Sequence, residues 1–388
     1  ILLGVHRKIR FFYLKTVIVA ILFFISIFTF SYFNLEFCYK ILAKGSLKDI
    51  RKYSGALCYE LCASNSFQHF KCPIHGLTTT AVFTAVKNHD VYAIKMARHL
   101  KESLSWKDKK GVDHYPHIED FQNIIKGYII VNYNTTLDEN VIRSLLNQEI
   151  DEHIPEHIVN VWRLFKDNNY MMGKLYEDDN IFPTILSSCG PYYATENLKS
   201  IQTEGTVNNY INTDWEGRLK TSMIILSYLF RMDEVKPEPL KMCKIDLSSF
   251  GFSVDKSVKY ENAQFVQSET QIDKILSDGS PCMEDSDCTF ESCLGKCDVT
   301  TNMCTGIQQN NNYQIICAEV FKGGRFFRGY LDTPRAPPSL KSIISTCADP
   351  SRNSRYHLPN RTLAPTSEVI IKLYKEIKRV YNEITFHQ

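Results

Sequence analysis

The chain has 388 residues, 23% of them charged, and a formal net charge of +2. That balance excludes a dominant basic face, so no nucleic-acid partner is expected. Its length leaves room for a two-lobed domain plus a small accessory module, and abundant Tyr and Phe against 17 Gly suit a packed fold.

The sequence opens on Ile1, so a preceding segment is expected. Residues 1–15 carry Arg7, Lys8, Arg10 and Lys15, followed by an uncharged run of 18 residues at 16–33, TVIVAILFFISIFTFSYF. That run is long enough to cross a bilayer core, and the basic flank predicts a cytoplasmic N-terminus with the C-terminal mass lumenal. Lys40, Lys44 and Lys48 beyond it make the bias modest. A cleaved signal peptide would end in an Ala-x-Ala-like site, which is lacking, and a buried helix would keep a polar stripe.

A stem at 34–73 contains Cys38, Cys58, Cys62 and Cys72. Twelve of the 13 cysteines lie at or beyond Cys58. In a chain with a membrane signal, that pattern predicts a disulfide framework in an oxidising lumen. The sequons at Asn134 and Asn360 are compatible with glycosylation on that side. Two strands are expected within 77–98, around a turn at Lys87-Asn88-His89-Asp90. Helical patterning follows from Leu137 to Asp179, with Ile158, Val161, Trp162, Phe165 and Tyr170 largely on one face. Strand-like runs at 182–186 and 192–198 precede a helix near Trp215–Met232. A cysteine-dense loop spans 278–306, a low-complexity patch covers Gln308–Asn312, and an amphipathic helix is expected near Ser367–Ile384.

Several runs together carry a family likeness: SGALCYELC, VYAIK, NVWRLFKDNNYMMGKL, FPTILSSCGPYYATENL, CKIDLSSFGFSVDKSVKY and SDGSPCMEDSDCTFESCLGKCDVTTNMC. With them the chain resembles the divergent protein kinase domain 1 family, also called family with sequence similarity 69. The resemblance implies an α+β, two-lobed protein-kinase-like fold with an N-terminal transmembrane helix and a disulfide-rich insertion. It also implies a single-pass type II protein of the endoplasmic reticulum or Golgi membrane. The small lobe is expected at 74–200, with a degenerate EF-hand-like insertion, and the large lobe at 201–388, with the Cys-rich insertion at 278–306.

Phosphoryl transfer needs a strand Lys on the phosphates, a helix Glu to hold it, a catalytic Asp, and an Asn and a second Asp for Mg²⁺. Lys95 in VYAIK fits the first role. The helix-Glu position falls on Asn169, with Glu149, Glu152 or Glu156 as substitutes. In the catalytic loop, setting Ser249 at the Asn position puts Lys244 where the Asp belongs. Taking Asp246 as base instead puts Gly251 where a metal ligand belongs, and Asp246 also reads as a turn cap. The metal-holding Asp is replaced by Asn262, a poor ligand for a hard cation. The neighbouring acid, Glu261, is expected on the opposite face of its strand.

ATP is therefore expected to bind weakly at most, without Mg²⁺. Ca²⁺ is not expected either: with Gly111 at the sixth loop position, Trp106, Asp108, Lys110 and His117 fall at the first, third, fifth and twelfth, and most lack a suitable ligand oxygen. The five cysteines from Cys282 to Cys304 are expected as disulfides rather than zinc ligands, one of them pairing outside the loop or staying free, with Cys317 as the candidate partner. Cys38 is expected in stem pairing or a link between chains. Three functions compete: a pseudokinase that binds a lumenal or secretory protein, an active atypical kinase built on Asp246 and Glu261, and a cysteine-rich adaptor without a nucleotide site.

Overall fold

The turn expected at Lys87–Asp90 forms and organises the first half of the chain. Asn88 and His89 both take positive φ, 51° and 72°, the backbone of a two-residue hairpin turn matched to strand twist. The computed structural model describes residues 55–62, 66–72, 81–97, 104–139, 156–201, 215–323, 329–348 and 366–385, with isolated positions between 142 and 150. The apolar run at 16–33, Cys38, Glu149, Glu152 and the Asn360 sequon lie outside these residues. No helix among them is long and apolar enough to cross a membrane.

Helix α1 (Ala56–Cys62) leads into strands β1 (Gln68–Lys71), β2 (Ala81–Lys87) and β3 (Asp90–Met96). A small hairpin, β4 (Trp106–Lys107) and β5 (Asp113–His114), precedes helices α2 (Ile118–Tyr133), α3 (Glu156–Lys166) and α4 (Asn168–Leu175). Strands β6 (Ile185–Cys189), β7 (Tyr192–Glu196) and β8 (Lys199–Ser200) follow. The main sheet is antiparallel, ordered β1-β2-β3-β7-β6. The alternation of β3 and β7 divides its faces. Ile94, Tyr192 and Ala194 pack with Leu57, Phe83 and Cys189 beneath α1, which the Cys58–Cys189 disulfide pins to β6. Lys95 and Tyr193, paired across the ladder, point to the other face.

Two sequence expectations shift here. The first strand of the second pair begins at Ile185 rather than 182, beyond Pro183, which has no N–H to give a ladder. The helical stretch breaks at Asp167, whose extended backbone (φ −87°, ψ 114°) and carboxylate cap α4 by accepting from Tyr170 N at 3.0 Å. α4 lies so close to β6 that a Cβ on Gly173 would come within 2.9 Å of Ile185. Helix α2 was not foreseen.

The second half is helical around short sheets. Helix α5 (Trp215–Glu234) precedes β9 (Leu240–Met242), β10 (Phe250–Phe252), β11 (Val258–Tyr260) and β12 (Val266–Ser268). β10 bridges β8 and β11, and β12 pairs with β9. A Cβ on Gly251 would sit 2.6 Å from Leu198 Cβ and 3.0 Å from Lys199 O. This glycine therefore serves the strand contact, not a metal. Helix α6 (Glu269–Leu276) leads into the Cys-rich loop with its two-stranded pairs β13 (Thr289–Phe290)–β14 (Cys293–Leu294) and β15 (Lys296–Asp298)–β16 (Met303–Thr305). Helix α7 (Asn312–Ile315) continues as a π-helical stretch over Ile316–Lys322; α8 (Pro338–Ala348) and α9 (Thr366–Thr385) end the fold.

The polar patch at Gln308–Asn312 is partly core. Asn312 is 2% exposed; its Oδ1 accepts from Met242 N at 2.8 Å and its Nδ2 donates to Leu240 O at 2.8 Å. One hydrophobic core runs from Phe121, Ile125 and Trp162 through Leu226 and Phe250 to Ile377.

The cysteines of the 282–304 loop are all disulfide-bonded, as Cys282–Cys297, Cys288–Cys304 and Cys243–Cys293. The outside partner is thus Cys243, not Cys317, which bonds Cys347. Cys317 is fully buried in the helical core beside α8, so it faces that helix instead of the loop.

Candidate active site

Lys95 sits on the central strand β3, with its side chain 3% exposed. Its Nζ lies 3.3 Å from Glu261 Oε1. A buried ammonium is stable only when paired and hydrogen-bonded, and here the partner comes from the chain just past β11. Sequence reading put Glu261 away from the site by extending the strand through it. The strand ends at Tyr260 instead. Glu261 N donates to Ser249 O at 2.7 Å, which turns the carboxylate toward Lys95.

Asn169, expected at the helix-Glu position, lies on α4 and serves another partner. Its Oδ1 accepts from Ala263 N at 2.6 Å. Asn168 Nδ2 donates to Ala263 O at 2.5 Å and Val266 O at 2.9 Å. Two neutral amides thus clasp the segment that follows Glu261. Glu149 and Glu152 lie outside the described residues and Glu156 begins α3; the carboxylate on Lys95 is Glu261. The Asn262 Oδ1 atom is buried without a hydrogen-bond partner.

Asp246 behaves as a turn cap. Its carboxylate accepts from Ser248 N at 3.0 Å and Ser248 Oγ at 2.7 Å, closing the 3₁₀ turn Leu247–Ser249. Lys244 projects to Glu291 of the Cys-rich loop, Nζ to Oε2 3.4 Å, and lies 4.9 Å from the Phe265 ring centroid. The Tyr260 hydroxyl ties the two ends of this loop, donating to Lys244 O at 3.1 Å and accepting from Asp246 N at 3.3 Å. Ser249 is 2% exposed. Lys95, Ser249, Asn262 and Asn169 therefore converge on the Glu261–Ala263 segment, while the side chains of Asp246 and Lys244 are engaged elsewhere.

Sequence reading missed two residues. Lys259 is a second buried lysine, its side chain 4% exposed; it ion-pairs with Glu196 Oε1 and reaches Thr184 Oγ1 at 3.2 Å. A lysine in the apolar run of β11 was the available signal. Asp167, 4% exposed, accepts from Tyr193 OH at 3.0 Å and so links the cap of α4 to the strand paired with β3. Its place just before Asn168-Asn169 marks it as a cap candidate.

In the EF-hand-like hairpin, Asp108 accepts from Lys110 N at 2.8 Å, Val112 N at 2.9 Å and His114 Nε2 at 3.2 Å. The Val112 amide, then His114, hold its carboxyl below the usual range. This carboxylate is committed to its own loop.

Among the described residues, the Glu261 carboxylate pairs with Lys95, and the neighbouring Asn262 offers a neutral amide oxygen, a poor Mg²⁺ ligand.

A five-stranded antiparallel sheet with a buried lysine on its central strand, a helix behind it, and a helical half bearing a loop–strand–strand segment beneath define a protein-kinase-like domain. Comparison with family models agrees. Residues 161–350 match the protein-kinase domain of FAM69, and residues 4–148 match the N-terminal cysteine-rich ER region of FAM69. Together the matches span most of the chain, which belongs to the FAM69 family.

Proposed function

We propose that this chain is a membrane-anchored pseudokinase of the secretory pathway, acting by binding a lumenal or secretory protein and transferring phosphoryl groups poorly. The observation that carries this reading is that Lys95 is paired by Glu261 of the segment after β11, at 3.3 Å, and not by a carboxylate on helix α4. In a working kinase that lysine steadies phosphates while carboxylates nearby hold metal. Here the carboxylate on Lys95 comes from the segment after β11, while Asn169 of α4, expected where a helix Glu would hold that lysine, bonds Ala263 N instead. The base position holds Lys244, and Asn262 replaces the metal-holding acid. Preorganised electrostatics is usually the largest catalytic contribution, and this site lacks most of it. The lumenal placement rests on the apolar run at 16–33, the disulfides and the family's cysteine-rich ER description.

One observation favours a second reading, an active atypical kinase: Glu261 supplies a single carboxylate beside Lys95, from which a divalent cation could recruit phosphates. Titrating nucleotide into the full chain in detergent, with and without Mg²⁺ or Mn²⁺, separates the readings. The pseudokinase reading expects weak, metal-independent binding that Glu261→Gln leaves intact or strengthens. The active reading expects metal-dependent binding that Glu261→Gln abolishes. No binding under any condition would favour an adaptor without a nucleotide site.

A further inference from the structure

Two surfaces outside the Lys95 site are complementary in charge and alike in apolar character. The first is the outer end of the Cys-rich loop. Met283 is 88% exposed and Val299 70%. Met303 is exposed as well; it bridges to Pro281, and its methyl lies 3.7 Å from where a Cβ on Gly279 would sit. Asp298 pairs with Met303, so Val299 begins the turn beside it. The Cys282–Cys297 and Cys288–Cys304 disulfides fix this end, so little freedom is lost when it docks. Residues 278–306 also carry Asp278, Glu284, Asp285, Asp287, Glu291 and Asp298 against Lys296 alone. Apolar side chains gathered on a rigid module mark an interaction surface, and its acidic charge selects a basic partner.

The second surface is a groove of about 350 Å³ between α5 and α9, closed on one side by Ser257 and Val258 at the start of β11. Met223, Ile224 and Tyr374 give it apolar walls, Lys220 and Arg231 give it charge, and among the described residues no carboxylate lines it. Arg231 is held in place by Val258 O at 2.5 Å and by the Tyr228 ring, 5.3 Å from its centroid. Glu216, one turn before Lys220, accepts from Tyr381 OH at 3.3 Å. That contact lays the C-terminal half of α9 along the start of α5. Lys378, one turn beyond Tyr374 on the same face, therefore adds a second exposed cation toward the Lys220 end.

We propose that this chain self-associates head to tail, the methionine-bearing end of one copy's Cys-rich loop seated in the basic α5–α9 groove of a second copy. The unbranched, adaptable Met side chain suits an irregular apolar groove, and Lys220 and Lys378 meet the loop's carboxylates. Apolar burial supplies the affinity, and charge supplies the choice of partner and its orientation. Because the two patches differ, a copy at the end of an assembly keeps a free groove or a free loop unless the assembly closes on itself. A contact of this limited extent is expected to be weak and salt-sensitive.

The test is sedimentation velocity on the full chain in detergent, at low and high salt, with two paired variants. Met283→Lys with Val299→Lys disarms the loop, and Lys220→Glu with Lys378→Glu disarms the groove. All four positions are exposed, so Tm should stay unchanged. The unmodified chain should associate, less so at high salt, and each variant alone should associate more weakly by about tenfold or more. Mixing the two variants should restore a one-to-one pair, since one keeps its loop and the other its groove; misfolded chains could not do this. A monomeric unmodified chain would overturn the proposal. So would association indifferent to either variant, as through the apolar run at 16–33, or a mixture that stays monomeric.

Discussion

Lys95 and Lys259 are both nearly stripped of water, and each is answered by one carboxylate, Glu261 and Glu196. Removing one partner of a buried ion pair leaves an uncompensated charge and typically costs about 3–5 kcal/mol. Glu196→Ala is therefore expected to lower stability by about that amount in chemical denaturation, because among the described residues Lys259 keeps Thr184 Oγ1 alone as a side-chain partner. Glu261→Gln should cost less, since the amide oxygen still accepts from Lys95. Glu238 contributes to the acid side of the stability curve, together with other lowered carboxyls such as Asp255 and Glu376. Burial pushes its carboxyl up, but bonds from Thr270, Ser268 and Asn134 outweigh burial and bring it below the usual value. Its folded pKa is thus depressed, so its contribution is present above the unfolded value near 4.3 and is lost as pH falls through the folded value. Glu238→Gln should flatten stability against pH in that acid window; an unchanged acid limb would count against it. At this scale the sequence was partly legible: the turn before Lys95 placed it on a strand, where it is found buried. Glu261 could not be placed in this way, because one residue's difference in where β11 ends decides which way a side chain points.

Among the elements, the Cys-rich loop is braced onto the catalytic-loop equivalent. Cys243–Cys293 joins them, Ser292 N donates to Cys243 O at 2.7 Å, and Glu291 holds Lys244. Replacing both Cys243 and Cys293 by Ser should lower stability by roughly 2–4 kcal/mol and open residues 278–306 to limited proteolysis; an unchanged digestion pattern would show that the short sheets hold the loop alone. The same bracing bears on repair of the site. Asn262→Asp adds one carboxylate, but on the proposed register Lys244 still stands at the base position, so phosphotransfer should stay at background in a radiolabel assay. The hairpin β2–β3, helix α5 and helix α9 were legible from turn residues and periodicity. Helix α2 was not: His117 gives it no side-chain cap, and the exposed Ile124, Ile130 and Val131 blur its apolar stripe. The partner of Cys293 was not legible because it lies 50 residues away in sequence, and pairing over such distances is set by the fold, not by spacing.

For the whole molecule, the sheet and the helical half share one core, while a second cluster under α1 ties the stem to the outer sheet face through Cys58–Cys189. That arrangement makes helix α1 a structural part of the domain, and disulfides form and persist in an oxidising compartment. Glycan on Asn134 or Asn360, together with protease protection of the C-terminal mass in intact microsomes, is the expected topology; cytosolic digestion of that mass would contradict it. Much of the order of elements was readable because hairpin β2–β3 and helices α5 and α9 carried their own local signals, whereas helix α2 did not, and the engagement of the cleft depended on contacts between distant segments. The most direct test of the central claim is phosphotransfer by the purified full chain with ATP and Mg²⁺ or Mn²⁺ against a panel of secretory proteins. The account predicts turnover far below the roughly 1–100 s⁻¹ of working kinases, with at most weak nucleotide binding that Lys95→Met removes. Turnover within that range, abolished by Lys95→Met, would contradict it.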